Sequence, residues 1–151
     1  MFTFFFTFKK ATIMEKLLTL INKTEQIPLL AEFVDQICEE LCLDMTLNFN
    51  LNLVLEEAVT NVIMYAYPQD EEHTLTVKAW TEGDKLAFEL CDQGKPFNPI
   101  EEAPEVDTTL PAEERSIGGL GIFLIQQMMD EVQYEYKNNS NVFTMKKVIK
   151  S

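Results

Sequence analysis

Apolar residues recur with two different periods in this chain, and the period separates predicted helices from predicted strands. Residues 14–22 have the character of a strand. After Thr24, a candidate N-cap, apolar residues recur every three or four positions and predict a helix that ends near Leu43. A second helix is predicted over about 46–67, because the same spacing continues there and Pro68 then stops it.

Strict alternation dominates much of the second half of the chain. Residues 73–81 and 86–90 alternate on either side of a Gly-Asp turn and predict a hairpin. A third helix is expected after Gly119, followed by strands near 131–137 and 142–149. The inward face of that helix is expected to carry Ile122, Ile125 and Met129. This order predicts an α+β fold, with helices packed on one face of a mostly antiparallel mixed sheet.

Length and charge limit what the chain can be. With 151 residues and 46% hydrophobic content, it is most simply one domain with a substantial core. Its formal net charge of -13 opposes nucleic-acid phosphates and anionic membranes, so neither is expected as a partner. The three cysteines are odd in number and lack CxxC spacing, which favours a reducing, cytoplasmic setting over a disulfide framework or a zinc site.

The phenylalanine-rich start, residues 1–13, is considered apart from the domain expected over 14–151. Its apolar run is too short to span a bilayer, and no basic residue precedes it as in a signal peptide. The alternating phenylalanines suit an extra strand, but the segment can equally be an extension ahead of a natural start at Met14. No function is assigned to it.

Three of the five glycines, Gly118, Gly119 and Gly121, fall within four positions where a loop is expected to enter a helix. A helix N-terminus offers unpaired N–H groups and the positive end of a dipole, which suit a phosphate. Arg115, the only arginine, adds a fork-shaped phosphate donor close by. The alternative is a tight loop-to-helix junction without a ligand, and this stretch alone leaves both interpretations open. The chain has no P-loop motif.

Two pairs of residues add candidate chemistry. Glu57 and Asn61 are four positions apart and share a face of the second predicted helix. Asn61 can ligate Mg²⁺ and Glu57 can act as a base near a terminal phosphate, although a solvated polar face is the alternative. Asp92 ends a predicted strand, and Gly94 follows it at a second place where backbone is expected to come close to another group.

Three stretches in this order resemble the N, G1 and G2 boxes of the GHKL superfamily: EEAVTNVIMYAYP, CDQGKPFNP and ERSIGGLGIFLIQQMMDEVQYE. Within that superfamily, the chain is most similar to the bacterial anti-sigma factor serine/threonine kinases, from about Met14 to Lys147. The resemblance implies the Bergerat ATP-binding fold, an α/β sandwich that agrees with the order of predicted elements.

The resemblance also implies roles for the polar residues. Glu57 would be the general base for phosphoryl transfer from ATP, and Asn61 would hold Mg²⁺. Asp92 would accept a hydrogen bond from the adenine amino group, and Gly94 would let the adenine edge approach the backbone.

An ATP lid is implied over about 99–117, within a stretch rich in proline and glutamate. Arg115 would touch the terminal phosphate. Gly118, Gly119 and Gly121 would form the phosphate-binding segment, the last two through their backbone N–H groups.

Family membership would bring partners as well. Kinases of this type phosphorylate a serine of a STAS-domain anti-sigma factor antagonist, bind a sigma factor and are commonly homodimers. The chain departs from the family pattern at Tyr65, where a histidine is often found, and at Ser140 and Asn141, where a glycine–threonine pair often helps to hold the nucleotide. Two other functions stay open: a nucleotide-regulated binding module without catalysis, and a histidine-kinase-like ATPase domain acting in trans.

Overall fold

A five-stranded sheet carries the fold. The computed structural model describes residues 14–102 and 117–150, apart from the side chains of 102 and 117–120. The strands are β1 (Glu15–Ile21), β2 (Thr74–Glu82), β3 (Lys85–Asp92), β4 (Glu131–Lys137) and β5 (Ser140–Val148). They lie in the order β1-β2-β3-β5-β4, and each of the four pairings is antiparallel. The predicted α+β class is confirmed.

The helices of the described ranges are α1 (Ile27–Glu40), α2 (Met45–Tyr65), α3 (Pro99–Glu102) and α4 (Ile117–Met128). The prediction that Thr24 caps α1 is wrong, because Thr24 begins a short 3-10 turn and Gln26 occupies the N-cap position instead. Asp44 caps α2, where its Oδ1 accepts a hydrogen bond from the backbone N–H of Leu47 at 2.8 Å.

One hydrophobic core lies between the helices and one face of the sheet. The prediction that Ile122, Ile125 and Met129 face inward is confirmed, because all three are buried. The alternating apolar residues of the hairpin are buried as well: Leu75, Val77, Ala79, Leu86, Phe88 and Leu90. The long helix α2 packs between α1 and α4, which explains why it is apolar on more than one side. This central position brings polar residues of α2, among them Asn61, to the border of the core, where the pocket lies.

The turn between β4 and β5 fixes the register at the end of the sheet where the pocket lies. Asn138 and Asn139 both have positive φ, 53° and 60°, as a two-residue hairpin turn of the type favoured between twisted strands requires. This turn sets the register of β4 against β5, which places Tyr136 opposite Asn141. On its other side β5 pairs with β3, and there Asn141 lies directly opposite Asp92.

The segment over 98–117, predicted as a loop, contains helical residues in the parts that the structure describes. Pro99–Glu102 forms the short helix α3, and α4 already includes Ile117. The glycine cluster therefore lies within α4, whereas the sequence pattern placed the start of this helix after Gly119. Residues 103–116 of the expected lid, and the segment 1–13, lie outside the described residues.

Candidate functional site

A pocket opens between α2, α4 and the neighbouring ends of β3, β4 and β5. Its apolar lining includes Ala58, Val62, Leu90, Phe97, Ile122 and Phe143. Its polar lining consists of Asn61, Asp92, Tyr134 and Asn141. A slot that is mostly apolar and carries a few convergent polar groups is typical of a small-molecule site.

Asp92 stands at the end of β3 and is only 5% exposed. Its Oδ1 accepts hydrogen bonds from the backbone N–H of Gly94 and from Nδ2 of Asn141, both at 2.9 Å. Burial raises the pKa of Asp92 above its usual value, and the two hydrogen bonds only partly offset this effect. A buried carboxylate held in this way can accept a hydrogen bond from a ligand in the pocket.

Gly94 has a packing reason to be glycine. A β-carbon there would lie 2.2 Å from the carbonyl oxygen of Ala66, at the end of α2. The loop after β3 is tied to the same carbonyl by the backbone N–H of Lys95 at 3.0 Å. Close contact at Gly94 therefore joins the loop to α2, while its N–H holds Asp92.

Glu57 lies against α4. A β-carbon on Gly121 would stand 2.7 Å from Oε2 of Glu57, so the glycine leaves space for this carboxylate. Burial, followed by the negative charge of Glu56, raises the pKa of Glu57. The two elements that the sequence analysis singled out, the polar pair on α2 and the glycine cluster, thus meet at Glu57 and Gly121.

The structure describes the remaining predicted site residues to different extents. Asn61 is half-buried and lines the pocket one helical turn beyond Glu57. Gly118 and Gly119 lie in the first turn of α4, whose backbone is described there. Arg115 lies outside the described residues.

Sequence reasoning did not assign Tyr134 a place in this site. Its hydroxyl donates to Oδ1 of Asn141, and the backbone N–H of Phe97 donates to the same oxygen at 3.1 Å. In the sequence, Asn141 stands out only as a departure from the family pattern. In the structure it is 5% exposed, and its hydrogen bonds join β3, β4 and the loop after β3. The sign of this role in the sequence is a polar residue, Asn141, directly before the apolar residues Val142 and Phe143.

None of the helices in residues 14–102 and 117–150 combines the length and the apolar character that crossing a bilayer requires.

Comparisons with known sequences identify relatives that are named as serine-protein kinases and anti-sigma factors. A serine-protein kinase RsbW from Listeria monocytogenes is 33% identical over 97 residues, which is 62% of this chain and 62% of the relative. The chain thus spans less than two thirds of that protein's length. An anti-sigma F factor from Thermoanaerobacter sp. is 36% identical over 119 residues, which is 78% of this chain and 81% of the relative.

Solved structures show the same fold. The RsbU and RsbW domains of a Mycobacterium tuberculosis protein match with a TM-score of 0.64 at 13% identity, over 89% of this chain and 32% of that one. The SiaB–SiaC complex from Pseudomonas aeruginosa matches with a TM-score of 0.61 at 15% identity, over 97% and 95%. The profile of the histidine kinase-like ATPase domain matches residues 20–147, so the chain belongs to this family.

Proposed function

We propose that this protein is an ATP-dependent protein serine/threonine kinase of the anti-sigma factor type. The observation that carries the proposal is the pocket with its buried carboxylate, Asp92, bordered by the helices α2 and α4, which also bring Glu57 against Gly121. Names of relatives, a serine-protein kinase and an anti-sigma factor, support the same function.

We propose that the pocket receives an adenine ring. Its mostly apolar lining suits a purine, and the carboxylate of Asp92 would accept a hydrogen bond from the exocyclic amino group. The N–H groups at the start of α4 and Arg115 would serve the phosphates, and residues 99–117 would act as a lid. We expect ADP and ATP to bind here, with Arg115 contributing more to ATP than to ADP.

Asn61 is the residue we propose for Mg²⁺. Its amide oxygen is a suitable ligand, and Mg²⁺ commonly takes only one or two protein ligands together with substrate phosphates and water. When bound, the ion would neutralise phosphate charge in a chain with a net charge of -13.

Glu57 would serve as the base. Its carboxylate accepts the proton of a serine hydroxyl while the serine oxygen bonds to the terminal phosphorus of ATP. The bond from that phosphorus to the bridging oxygen breaks, and ADP leaves with the electron pair. Phosphoryl transfer depends mainly on positioning and charge stabilisation, so the base would act together with the phosphate-binding helix end, Arg115 and the ion held by Asn61.

The protein substrate we propose is a STAS-domain anti-sigma factor antagonist. A sigma factor would be the second partner, and the kinase would act as a homodimer in the cytoplasm. We assign residues 14–151 to the kinase domain and leave 1–13 without a role.

A matched pair of neighbouring glutamates tests the proposal. The full chain is incubated with ATP labelled on its terminal phosphate and a STAS-domain protein. Glu57→Gln should lower transfer at least a hundredfold, because a general base contributes about 10²–10⁴-fold. Glu56→Gln, at the exposed neighbouring position, should stay within about threefold of the wild type. Both variants should bind ADP normally, and equal transfer by Glu57→Gln and the wild type would remove Glu57 as the base.

The same assay separates the two alternatives. A binding module without catalysis would bind ATP and leave every candidate protein unlabelled. A histidine-kinase-like domain acting in trans would give a label that is lost in acid, whereas phosphoserine survives acid treatment.

A further inference from the structure

We infer that Asn141 is a positioning residue that sets the base preference of the pocket, by holding one oxygen of Asp92 and leaving the other for a base with an exocyclic amino group. The inference rests on the proposed function, because it assumes that the pocket receives a nucleotide base. It assigns a role to a residue at which the chain departs from its family.

The hydrogen bonds around Asn141 fix which end of its amide points where. Its Oδ1 receives the backbone N–H of Phe97 and the hydroxyl of Tyr134. Because a backbone N–H can only donate, the contact with Phe97 identifies this end of the amide as the oxygen, and the Tyr134 hydroxyl can donate to it as well. Its Nδ2 therefore faces acceptors: Oδ1 of Asp92 and the carbonyl oxygen of Lys95, both at 2.9 Å, and the carbonyl oxygen of Gly94 at 3.4 Å.

This arrangement divides the two oxygens of Asp92 between protein and pocket. The hydrogen bonds described for Asp92, from Gly94 and Asn141, both end at Oδ1. Since Asp92 lines the pocket, its Oδ2 is the oxygen that a ligand can reach. Partial rotation of the carboxylate would break both bonds, and a half-turn only exchanges two equivalent oxygens, so Asn141 and Gly94 together keep one oxygen bound and one facing the pocket.

The sheet makes the arrangement rigid. Asp92 and Asn141 are direct cross-strand partners at the end of the β3–β5 pairing, and each is 5% exposed. Tyr134 ties Asn141 to β4, and Phe97 ties it to the loop after β3. An acceptor that is already oriented before the ligand arrives costs little ordering on binding, which favours affinity.

A fixed carboxylate oxygen discriminates between purines. Adenine presents an amino group at its 6-position, which donates to Oδ2 of Asp92. Hypoxanthine presents a carbonyl oxygen at that position, so two acceptors would face each other in a dry pocket. The preference for ADP over IDP therefore measures how firmly Asp92 is held.

A pair of variants of the same shape isolates the donor that Asn141 supplies. Threonine and valine are both β-branched and suit a strand, but only threonine carries a hydroxyl that can donate to Asp92, directly or through one water. Calorimetric titration of the full chain with ADP and with IDP should give similar ADP preferences for wild type and Asn141→Thr. In Asn141→Val the preference should fall roughly tenfold, as expected for the loss of a hydrogen bond to a charged group.

The outcomes separate this inference from the proposed function. Equal ADP preferences in the threonine and valine variants, or an equal weakening of ADP and IDP by valine, would overturn the role of Asn141 while leaving nucleotide binding intact. A wild-type chain that binds neither nucleotide would overturn the proposed function itself.

The wild-type chain offers a further test if neither variant folds. In its NMR spectrum, the side-chain amide signals of Asn141 should titrate with the same midpoint as Asp92, and ADP should shift them more than IDP. Equal shifts by the two nucleotides would overturn the inference.

Discussion

Glu57 occupies a partly dehydrated position, and this determines its strength as a base. Its burial next to α4 is the larger cause of its raised pKa, and the neighbouring charge of Glu56 is the smaller. A carboxylate with a raised pKa accepts a proton more readily than an ordinary glutamate does. The same shift also sets the pH at which the base is lost.

As the pH is lowered, phosphoryl transfer should therefore be lost at a higher pH than it would be with a glutamate of ordinary pKa. Because only the ionised form accepts a proton, the rate should fall about tenfold per pH unit once the pH drops below the pKa of Glu57, which lies above 4.5. Glu56→Gln removes the smaller cause and should move this acid limb to lower pH. The measurement is kcat/KM for ATP as a function of pH. The same acid limb in the residual activity of Glu57→Gln would assign the titration to another group.

Burial of Asp92 in the pocket costs the folded protein stability when the carboxyl is ionised. Because burial outweighs its hydrogen bonds, its pKa in the folded protein is raised above the usual 3.8. Folding thus favours the protonated form. The stability that this carboxyl contributes is complete below its unfolded-state pKa and is lost as the pH rises through its folded-state pKa.

Asp92→Asn should consequently stabilise the nucleotide-free protein at pH 7 while weakening its binding of ADP. Asparagine keeps an acceptor for Gly94 and avoids the buried charge, so we expect the free energy of unfolding at pH 7 to rise. Urea unfolding at pH 7 and at pH 4 measures the effect, which should shrink at the lower pH. The second readout is ADP affinity, and an unchanged affinity would contradict the adenine role of Asp92.

The sequence singled out Glu57, Asn61 and Asp92 as candidates by their spacing or strand-end position, and Asn61 and Asp92 line the pocket. It was not sufficient for the partnership of Asn141 with Asp92. That partnership depends on the register of β5 against β3, a pairing between distant parts of the chain that no local pattern specifies.

At the scale of elements, two glycines hold α2 against its neighbours in different ways. Gly94 admits the main chain at Ala66, which cannot move without disturbing the end of α2. Gly121 admits the tip of the Glu57 side chain, which has rotatable bonds and can turn aside. The same substitution at the two positions should therefore damage different properties.

Gly94→Ala should destabilise the fold, and Gly121→Ala should spare it but impair catalysis. The added methyl at position 94 meets backbone, so we expect a loss of roughly 2–3 kcal/mol in the free energy of unfolding. At position 121 it displaces the carboxylate of Glu57, and a shift of about 1 Å can cost about a hundredfold in rate. Thermal unfolding and labelled-ATP transfer are measured on both variants.

A normal transfer rate in Gly121→Ala would show that the observed position of Glu57 is not the one used in catalysis. Normal stability in Gly94→Ala would show that the loop after β3 can move away from α2. Each variant serves as the control for the other, since both add one methyl group.

Most elements were predictable because their periodicity is strong, whereas several boundaries were not. The alternation in β2 and β3 and the helical spacing in α1 and α2 each have a buried face to enforce them. The start of α4 was misplaced because glycines favour a loop when judged by propensity alone. In the structure, α4 packs closely on α2 at Gly121, a contact between distant parts of the chain that local propensity does not include.

For the whole molecule, the dominant electrostatic fact is an excess of carboxylates. The chain has 25 aspartates and glutamates against 12 lysines and arginines. Some ion pairs of the described residues, such as Lys23–Glu72 and Lys137–Glu135, lie at exposed positions and contribute little each. Unpaired negative charges therefore repel one another across the folded surface, and compaction increases that repulsion.

Screening should stabilise this protein. Between 0.05 and 0.5 M NaCl the Debye length shrinks from about 14 Å to about 4 Å, so repulsion between carboxylates on different elements is largely removed. We expect the free energy of unfolding to rise by about 1 kcal/mol, which corresponds to about 2–4 °C in Tm for a domain of this size. Thermal unfolding in NaCl and KCl at matched ionic strength should give the same rise, and sucrose at matched osmolality is the uncharged control. A Tm that falls with salt would mean that the surface ion pairs outweigh the net repulsion.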